Sequence, residues 1–151
     1  MKPKYLYHGS IRKIVGDKLL PRQAEDLEKK EENLHKAVYA TNVREIAVAM
    51  AIISCKGVYG AGLKFKKKPF GIIYDGWPKQ KHIYLYTLPV DKFEKAGEGG
   101  RQWASFEPVK PLNVEKLSVK DNLDLVRKAS KVEVDKWLKK YGFELFESKL
   151  V

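Results

Sequence analysis

The sequence predicts an α+β domain with a mainly antiparallel sheet, a buried central helix and a C-terminal helix. Short apolar runs typical of strands dominate the middle of the chain, and turn residues join them rather than long crossover segments. Residues 43–54 (VREIAVAMAIIS) are apolar on nearly every side, as a buried helix is. Val134, Trp137, Leu138 and Tyr141 recur at the spacing of an amphipathic helix. Successive strands followed by a terminal helix are typical of an α+β fold.

Length and composition indicate one domain, residues 1–151. The 151 residues suffice for one core and are too few for two ordinary domains. No apolar run approaches the roughly 18 residues of a membrane span, and no long apolar signal region follows the first residues. A cytoplasmic protein without a membrane partner is therefore expected. Cys55 is the single cysteine, and its place in the apolar helix predicts a buried thiol rather than a catalytic one.

The chain is strongly basic, with a formal net charge of +11 and a sequence pI near 9.6. This charge favours an anionic partner such as a nucleic acid, a nucleotide or an acidic protein surface. A solvated surface rich in Lys and Glu, of the kind that thermophile proteins carry, explains the charge equally well. Charge alone therefore leaves both interpretations open.

The first two strands are predicted at residues 4–8 and 38–40. The second strand leads directly into the central helix, which Thr41 or Asn42 is expected to cap. The highly charged segment between the two strands, taken as residues 22–36, fits either a solvated helix or a mobile loop. Because of its place between the strands, this segment is either a flap over a cleft or a surface insertion.

The later strands are marked by alternating or continuous apolar runs between Gly and Pro residues. They are predicted at residues 62–67, 70–74, 82–88, 101–106 and 112–119. Residues 57–62 hold three glycines without the order of a phosphate-binding loop, which predicts a turn. Gly142 is expected to end the C-terminal helix, leaving residues 143–151 as a frayed or docked tail.

Polar groups at the ends of the first two strands form the main candidate site. His8-Gly9-Ser10 closes the first strand, where His8 offers a ring nitrogen and Ser10 a hydroxyl, while Gly9 lets a ligand approach the backbone. Tyr39 and Thr41 close the second strand, and the flat ring of Tyr39 can stack on an aromatic ligand. The plain alternatives are a core histidine bonded to backbone and a core tyrosine.

The runs Tyr5–Ser10 and Ala37–Thr41 together resemble the ADP-ribosyltransferase superfamily, in particular its His/Tyr/Glu class, which includes the poly(ADP-ribose) polymerases. In that class a first strand ends in His-Gly-Ser or His-Gly-Thr, and a second strand carries a tyrosine just ahead of a helix. The resemblance implies an ADP-ribosyltransferase-like split sheet that binds NAD, as substrate, in the cleft between its halves.

The resemblance also implies roles for individual residues. His8 would bind a ribose through its ring, and the backbone of Gly9 would meet the nicotinamide amide. Tyr39 would stack on the nicotinamide ring, with further hydroxyl contacts from Ser10 or Thr41.

A late-strand glutamate completes the pattern of this class, and Glu107 is the candidate. Its carboxylate would hold a ribose hydroxyl and stabilise oxocarbenium-like charge as nicotinamide leaves. Gln102 competes for the same role, and transferase activity becomes doubtful if Gln102 occupies that place. The two residues would face opposite sides of an unbroken strand. The alternative for Glu107 is a surface glutamate before a proline.

The implied function is transfer of ADP-ribose from NAD to a protein or nucleic-acid acceptor, or hydrolysis of NAD. No metal is expected, because the histidines and Cys55 lack the spacing of a metal site. Two alternatives remain: an inactive transferase fold used for partner binding, and a basic nucleic-acid-binding module without catalysis. The oligomeric state is left open.

The nucleic-acid alternative depends on lysines interleaved with aromatic residues in the middle of the chain. They are Lys64, Lys66, Lys67, Lys68, Lys79 and Lys81, with Phe65, Phe70, Trp77 and Tyr84. Lysines would meet phosphates while rings stack on bases. A solvated sheet face whose lysines protect strand edges is the plain alternative.

Overall fold

The computed structural model describes residues 2–23, 36–65, 67–97 and 99–150. Its elements in chain order are β1 (Leu6–Ser10), β2 (Arg22–Gln23), β3 (Lys36–Thr41), α1 (Arg44–Ile53), β4 (Val58–Phe65), β5 (Pro69–Gly76), β6 (His82–Leu88), β7 (Glu94–Lys95), β8 (Gln102–Ser105), β9 (Asn113–Ser118), a 3-10 helix (Lys120–Leu125), β10 (Val126–Lys128) and α2 (Lys131–Leu150). The predicted α+β class is confirmed.

Two sheets enclose the central helix. The larger, antiparallel sheet has the order β7-β8-β3-β1-β6-β9, with β2 paired to β3, and the smaller has the order β10-β5-β4. Only the β5–β10 pair is parallel among the described strands. A Cβ added at Gly9 in the larger sheet would collide with the Ala47 carbonyl of α1, and one at Gly71 in the smaller sheet would lie 2.7 Å from Ile53 Cγ2. The helix therefore touches the backbone of both sheets, and the prediction of a buried central helix is confirmed.

A second hydrophobic core lies on the other face of the larger sheet. Leu6, Val38, Tyr86, Phe93 and Trp103 pack there, all at most 6% exposed. The loop after β1 is anchored on this core, because the Tyr86 hydroxyl accepts the Ile14 N–H at 2.8 Å and lies 3.3 Å from the Arg12 carbonyl. The larger sheet is thus covered on both faces.

Helix α2 packs on the outer face of the smaller sheet. It begins with a capping box, in which Glu133 N–H donates to Ser130 Oγ at 3.3 Å and Ser130 N–H donates to Glu133 Oε1 at 2.9 Å. Trp137 stacks on Tyr74 with ring centroids 5.0 Å apart. A side chain at Gly60 would collide with this indole. Gly60 is therefore a packing position inside a strand.

Three predicted boundaries are wrong. The first strand, predicted at residues 4–8, spans Leu6–Ser10, and its pairing with β6 continues through Ser10. Residues 57–62 were predicted to form a turn, but β4 already begins at Val58. The glycines of this segment serve the strand: Gly60 leaves room for the Trp137 indole, and the β4–β5 register shifts beside it in a bulge. Gly142 does not end α2, which continues to Leu150; one interior glycine costs a helix only about 1 kcal/mol. Within the charged segment 22–36, Arg22, Gln23 and Lys36 lie in strands, and residues 24–35 fall outside the described chain.

Candidate functional site

The larger sheet opens between β1 and β3. These neighbouring strands share one residue pair, Tyr7 with Thr41. By contrast, β1 pairs with β6 through all five of its residues, and β3 pairs with β8 at four positions. We call the opening between His8–Ser10 of β1 and Val38–Ala40 of β3 the β1–β3 split.

The His8 imidazole bridges this split. Its Nδ1 lies 2.6 Å from the Tyr39 carbonyl oxygen. Since a carbonyl only accepts hydrogen bonds, Nδ1 carries the proton and donates it. In the neutral ring, Nε2 is then a hydrogen-bond acceptor. The backbone of β3 therefore fixes both the orientation and the tautomer of His8.

The environment of His8 keeps the ring neutral. Burial of the imidazole lowers its pKa, the bond to the Tyr39 carbonyl opposes this, and the positive charge of Arg22 lowers it further. Arg22 reaches this place from β2, where it pairs with Ala37 of β3, and its side chain is exposed. At neutral pH, Nε2 is thus unprotonated.

The peptide groups of Gly9 are directed toward the split. In antiparallel strands the N–H and C=O of one residue point to the same side, and the side alternates along the strand. Because the Tyr39 carbonyl faces β1, the peptide groups of Thr41 also face β1, and those of Tyr7 and Gly9 face β3. Gly9 pairs with Leu85 in β6 but has no register partner in β3.

The same packing corrects the interpretation of Gly9. The space beside its Cα is occupied by the α1 backbone at Ala47, so the glycine is required for helix–sheet packing and not for approach of a ligand at that atom. A ligand can reach Gly9 only through its peptide edge.

His8 and Tyr39 project from opposite faces of the larger sheet. Tyr86, the register partner of His8, lies in the second core, as does Ala40. Tyr39 has the opposite parity to Ala40 and therefore lies on the α1 side, together with Gly9. The structure brings the His8 ring to the Tyr39 backbone and leaves the two rings on different faces.

The hydroxyls of Ser10 and Thr41 stabilise local turns. Ser10 Oγ accepts the Arg12 N–H at 3.2 Å, and Thr41 Oγ1 accepts the Val43 N–H at 3.1 Å. Val43 is the N-cap residue of α1, and no side chain caps the helix. The prediction that Thr41 or Asn42 caps this helix is therefore wrong.

Glu107 and Gln102 occupy different parts of the chain around β8. The strand ends at Ser105, whose Oγ donates to the Glu107 carbonyl at 2.9 Å and accepts its N–H at 3.3 Å. This turn leaves the Glu107 side chain exposed. Gln102 lies inside β8 opposite Thr41, and Ala104 lies opposite Tyr39. Gln102 is therefore the residue that shares a sheet face with Tyr39.

The basic and aromatic residues of the middle of the chain do not form one surface. Lys64, Phe65, Lys67 and Lys68 surround the tip between β4 and β5, while Trp77 and Lys81 lie beyond the other end of β5. Tyr84 packs toward the second core, and Lys66 is outside the described residues. The eight residues of β5 separate the two groups by about 26 Å at roughly 3.3 Å per residue.

A concavity of about 400 Å³ lies at the Trp77 end, and we call it the Trp77 concavity. Its walls are Trp77, Pro78, Gln80, Lys81, His82, Ser118, Val119, Lys120 and Leu123. Sequence reasoning missed the contribution of Ser118, Lys120 and Leu123, since only the β6–β9 pairing brings them beside His82.

The single cysteine, Cys55, is not a reactive thiol. Cys55 is buried, and burial raises the pKa of its thiol to about 11, so it stays protonated at neutral pH.

Among residues 2–23, 36–65, 67–97 and 99–150, no cluster of three or more His, Cys, Asp or Glu side chains is arranged to hold a metal ion. None of the described helices is long and apolar enough to cross a membrane.

Comparison with protein-family models, curated proteins and solved structures finds no match to this chain.

Proposed function

We propose that this protein is an ADP-ribosyltransferase-like protein that binds NAD at the β1–β3 split. The observation that carries the proposal is the His8 imidazole, which the Tyr39 carbonyl holds at 2.6 Å in the tautomer with Nε2 as acceptor. A ribose hydroxyl can donate to that nitrogen. The lowered pKa of His8 keeps the acceptor available at neutral pH.

The strand edge at Gly9 supplies the second element of recognition. A nicotinamide carboxamide has one N–H side and one C=O side, and it matches a residue whose peptide N–H and C=O point the same way. Gly9 directs this pair into the split, where β3 offers it no register partner. Tyr39 projects from the same face of the sheet as Gly9, and His8 projects from the opposite face. NAD would therefore have to extend through the split, with its nicotinamide ring on Tyr39 and its ribose on His8.

The proposed chemistry is substitution at the anomeric carbon of the nicotinamide ribose. The bond from that carbon to the pyridinium nitrogen breaks, and its electron pair leaves with nicotinamide, which becomes neutral. An oxygen or nitrogen of water or of a macromolecular acceptor forms the new bond and loses its proton to solvent. A carboxylate that reaches the ribose would stabilise the positive charge that develops there.

Because Gln102 and Glu107 lie in different places, we assign different requirements to NAD binding and to turnover. Gln102 can accept or donate a hydrogen bond but carries no charge. Glu107 carries the charge and lies past the end of β8 in an exposed turn. In this proposal NAD binding needs His8, Gly9 and Tyr39, and turnover additionally needs the Glu107 carboxylate to approach the bound ribose.

Titration calorimetry and thermal unfolding with NAD test the proposal. A ligand present at 100 times its dissociation constant adds about 2.7 kcal/mol to the free energy of unfolding when it binds only the folded state. His8→Asn keeps a donor for the Tyr39 carbonyl but removes the Nε2 acceptor, and Tyr39→Leu removes the ring; both should weaken NAD binding at least tenfold.

Two variants serve as controls for that experiment. Tyr39→Phe keeps the ring and should bind NAD like the wild type, as should Tyr59→Leu, because Tyr59 is 61% exposed on β4, in the other sheet. Absence of wild-type binding at millimolar NAD, or equal binding by His8→Asn, would overturn the proposal. Release of nicotinamide by wild type and its loss in Glu107→Gln would establish turnover.

A further inference from the structure

The Trp77 concavity combines an aromatic wall with positive charge. Trp77 is 39% exposed, whereas the other two tryptophans, Trp103 and Trp137, are 6% and 7% exposed. Lys81 and Lys120 stand at one end of the β6–β9 ladder, where the Val119 N–H donates to the Lys81 carbonyl at 2.9 Å. Among the residues that the structure describes, none that lines the concavity carries a carboxylate. The site therefore suits a planar group that carries negative charge.

The wall that carries Trp77 is held in place before any ligand arrives. The Trp77 N–H donates to the Gly57 carbonyl at 2.9 Å, and the Lys79 N–H donates to the Lys56 carbonyl at 2.8 Å. The Gln80 side chain accepts the Lys56 N–H at 2.9 Å and donates to the Ile11 carbonyl at 3.1 Å. A wall fixed by four hydrogen bonds loses little conformational entropy on binding.

Two glycines make this attachment possible. Gly57 and Gly76 have φ of +95° and +85°, a region that favours glycine. A Cβ at Gly57 would collide with the Trp77 carbonyl, and one at Gly76 would collide with the Gly57 carbonyl. The backbone around the indole is thus closely packed, and its position depends on both residues.

The chemistry of the lining identifies the class of ligand. An exposed indole stacks on nucleobases without regard to sequence, and lysines pair with phosphate. The volume of about 400 Å³ lies in the range of small-molecule sites. Val119, which is 4% exposed, adds an apolar side chain to the lining.

We propose that the Trp77 concavity binds one nucleotide unit, with the base stacked on Trp77 and the phosphate between Lys81 and Lys120. The unit can be a free nucleotide or one residue of a single-stranded nucleic acid, since both present the same base and phosphate. This site is separate from the β1–β3 split and does not depend on NAD binding there.

Quenching of tryptophan fluorescence provides the test, because Trp103 and Trp137 are buried and only Trp77 is exposed enough to stack on an added base. Wild-type protein is titrated with uridine 5′-monophosphate and, separately, with short oligo(dT); neither contains adenine or nicotinamide. Quenching that saturates is expected, and Trp77→Leu should weaken binding about tenfold or more when followed by calorimetry. Lys120→Gln should weaken binding and leave the fold intact, since Lys120 is exposed, which keeps the test valid if Trp77→Leu fails to fold.

The two titrations distinguish the source of the nucleotide. Binding of the mononucleotide alone supports a free-nucleotide site, and much tighter binding of oligo(dT) supports a unit within a strand. His8→Asn should leave both titrations unchanged, so failure of this inference and failure of the proposed function are distinguishable. No saturable binding of either probe, or binding that both Trp77→Leu and Lys120→Gln leave unaltered, would overturn the inference.

Discussion

The β1–β3 split and the Trp77 concavity offer two different ways of meeting a ligand. The split presents backbone groups and a neutral imidazole, fixed by one hydrogen bond between Nδ1 of His8 and the Tyr39 carbonyl. The concavity presents side chains, with an indole and exposed lysines on a fixed backbone. Recognition in the split depends on hydrogen-bond direction and protonation, whereas recognition in the concavity depends on stacking and net charge. Ligand binding at the split should therefore depend on pH, and ligand binding at the concavity should depend on salt concentration.

The largest expected effect is at Gly9, where α1 touches the larger sheet. Gly9→Val places atoms where the Ala47 carbonyl lies, so the free energy of unfolding should fall by about 3 kcal/mol. Urea unfolding measures this change. Gly99→Ala is the matched control, because nothing lies within 4 Å of an added Cβ there. Equal stability of the two variants would contradict the close packing of α1 on β1.

Gly57→Ala tests the rigidity of the concavity. Its positive φ and the collision with the Trp77 carbonyl should lower the free energy of unfolding by about 1–3 kcal/mol and displace the indole. Binding of oligo(dT) should weaken in this variant, while the part of the NAD affinity that His8→Asn removes persists. Loss of NAD binding with nucleotide binding retained would reverse the assignment of the two regions.

The pH dependence of stability and of NAD binding should distinguish the split from the concavity. The pKa of His8 is lowered in the folded protein, so its contribution to stability is complete above the ordinary value of about 6.5 and is lost as pH falls toward the folded pKa. NAD affinity should decrease only at the lower end of this interval, as pH approaches the folded pKa, because a protonated Nε2 can no longer accept a hydrogen bond.

Wild type and His8→Asn are compared by urea unfolding and by NAD titration between pH 5 and 7.5. The stability difference between them should change with pH only below about 6.5. A difference that is constant across this range would show that His8 does not titrate in the way its environment indicates.

The salt dependence of ligand binding should distinguish the concavity from the split. It is the smallest of the effects expected here. Binding of oligo(dT) should weaken as salt rises, and replacing Lys81 and Lys120 by Gln should reduce the slope of log affinity against log salt by roughly 0.7 for each lysine. The loss of NAD affinity caused by His8→Asn should be equally large in this double variant and in the wild-type background. An unchanged slope for oligo(dT) would remove the two lysines from the phosphate contact.

Local pattern predicted much of the fold. The strand at residues 82–88 and the central helix were found almost to the residue, since a period of two and an all-apolar stretch depend only on neighbouring residues. The first strand was found as well, but it spans Leu6–Ser10, so His8, Gly9 and Ser10 form its last three residues and not a turn after it. These features follow from propensity and turn chemistry, which act over a few residues.

Tertiary structure alone decided which residues meet. The single pair between β1 and β3, the contact of Gly9 with α1 and the meeting of Trp77 with Lys120 all join residues far apart in sequence. The same holds for Gly60, because the Trp137 indole that packs on it comes from a distant part of the chain. The sequence by itself determined the fold class and the residue types available for chemistry, because these depend on local periodicity; strand register and long-range packing decided the geometry of both regions.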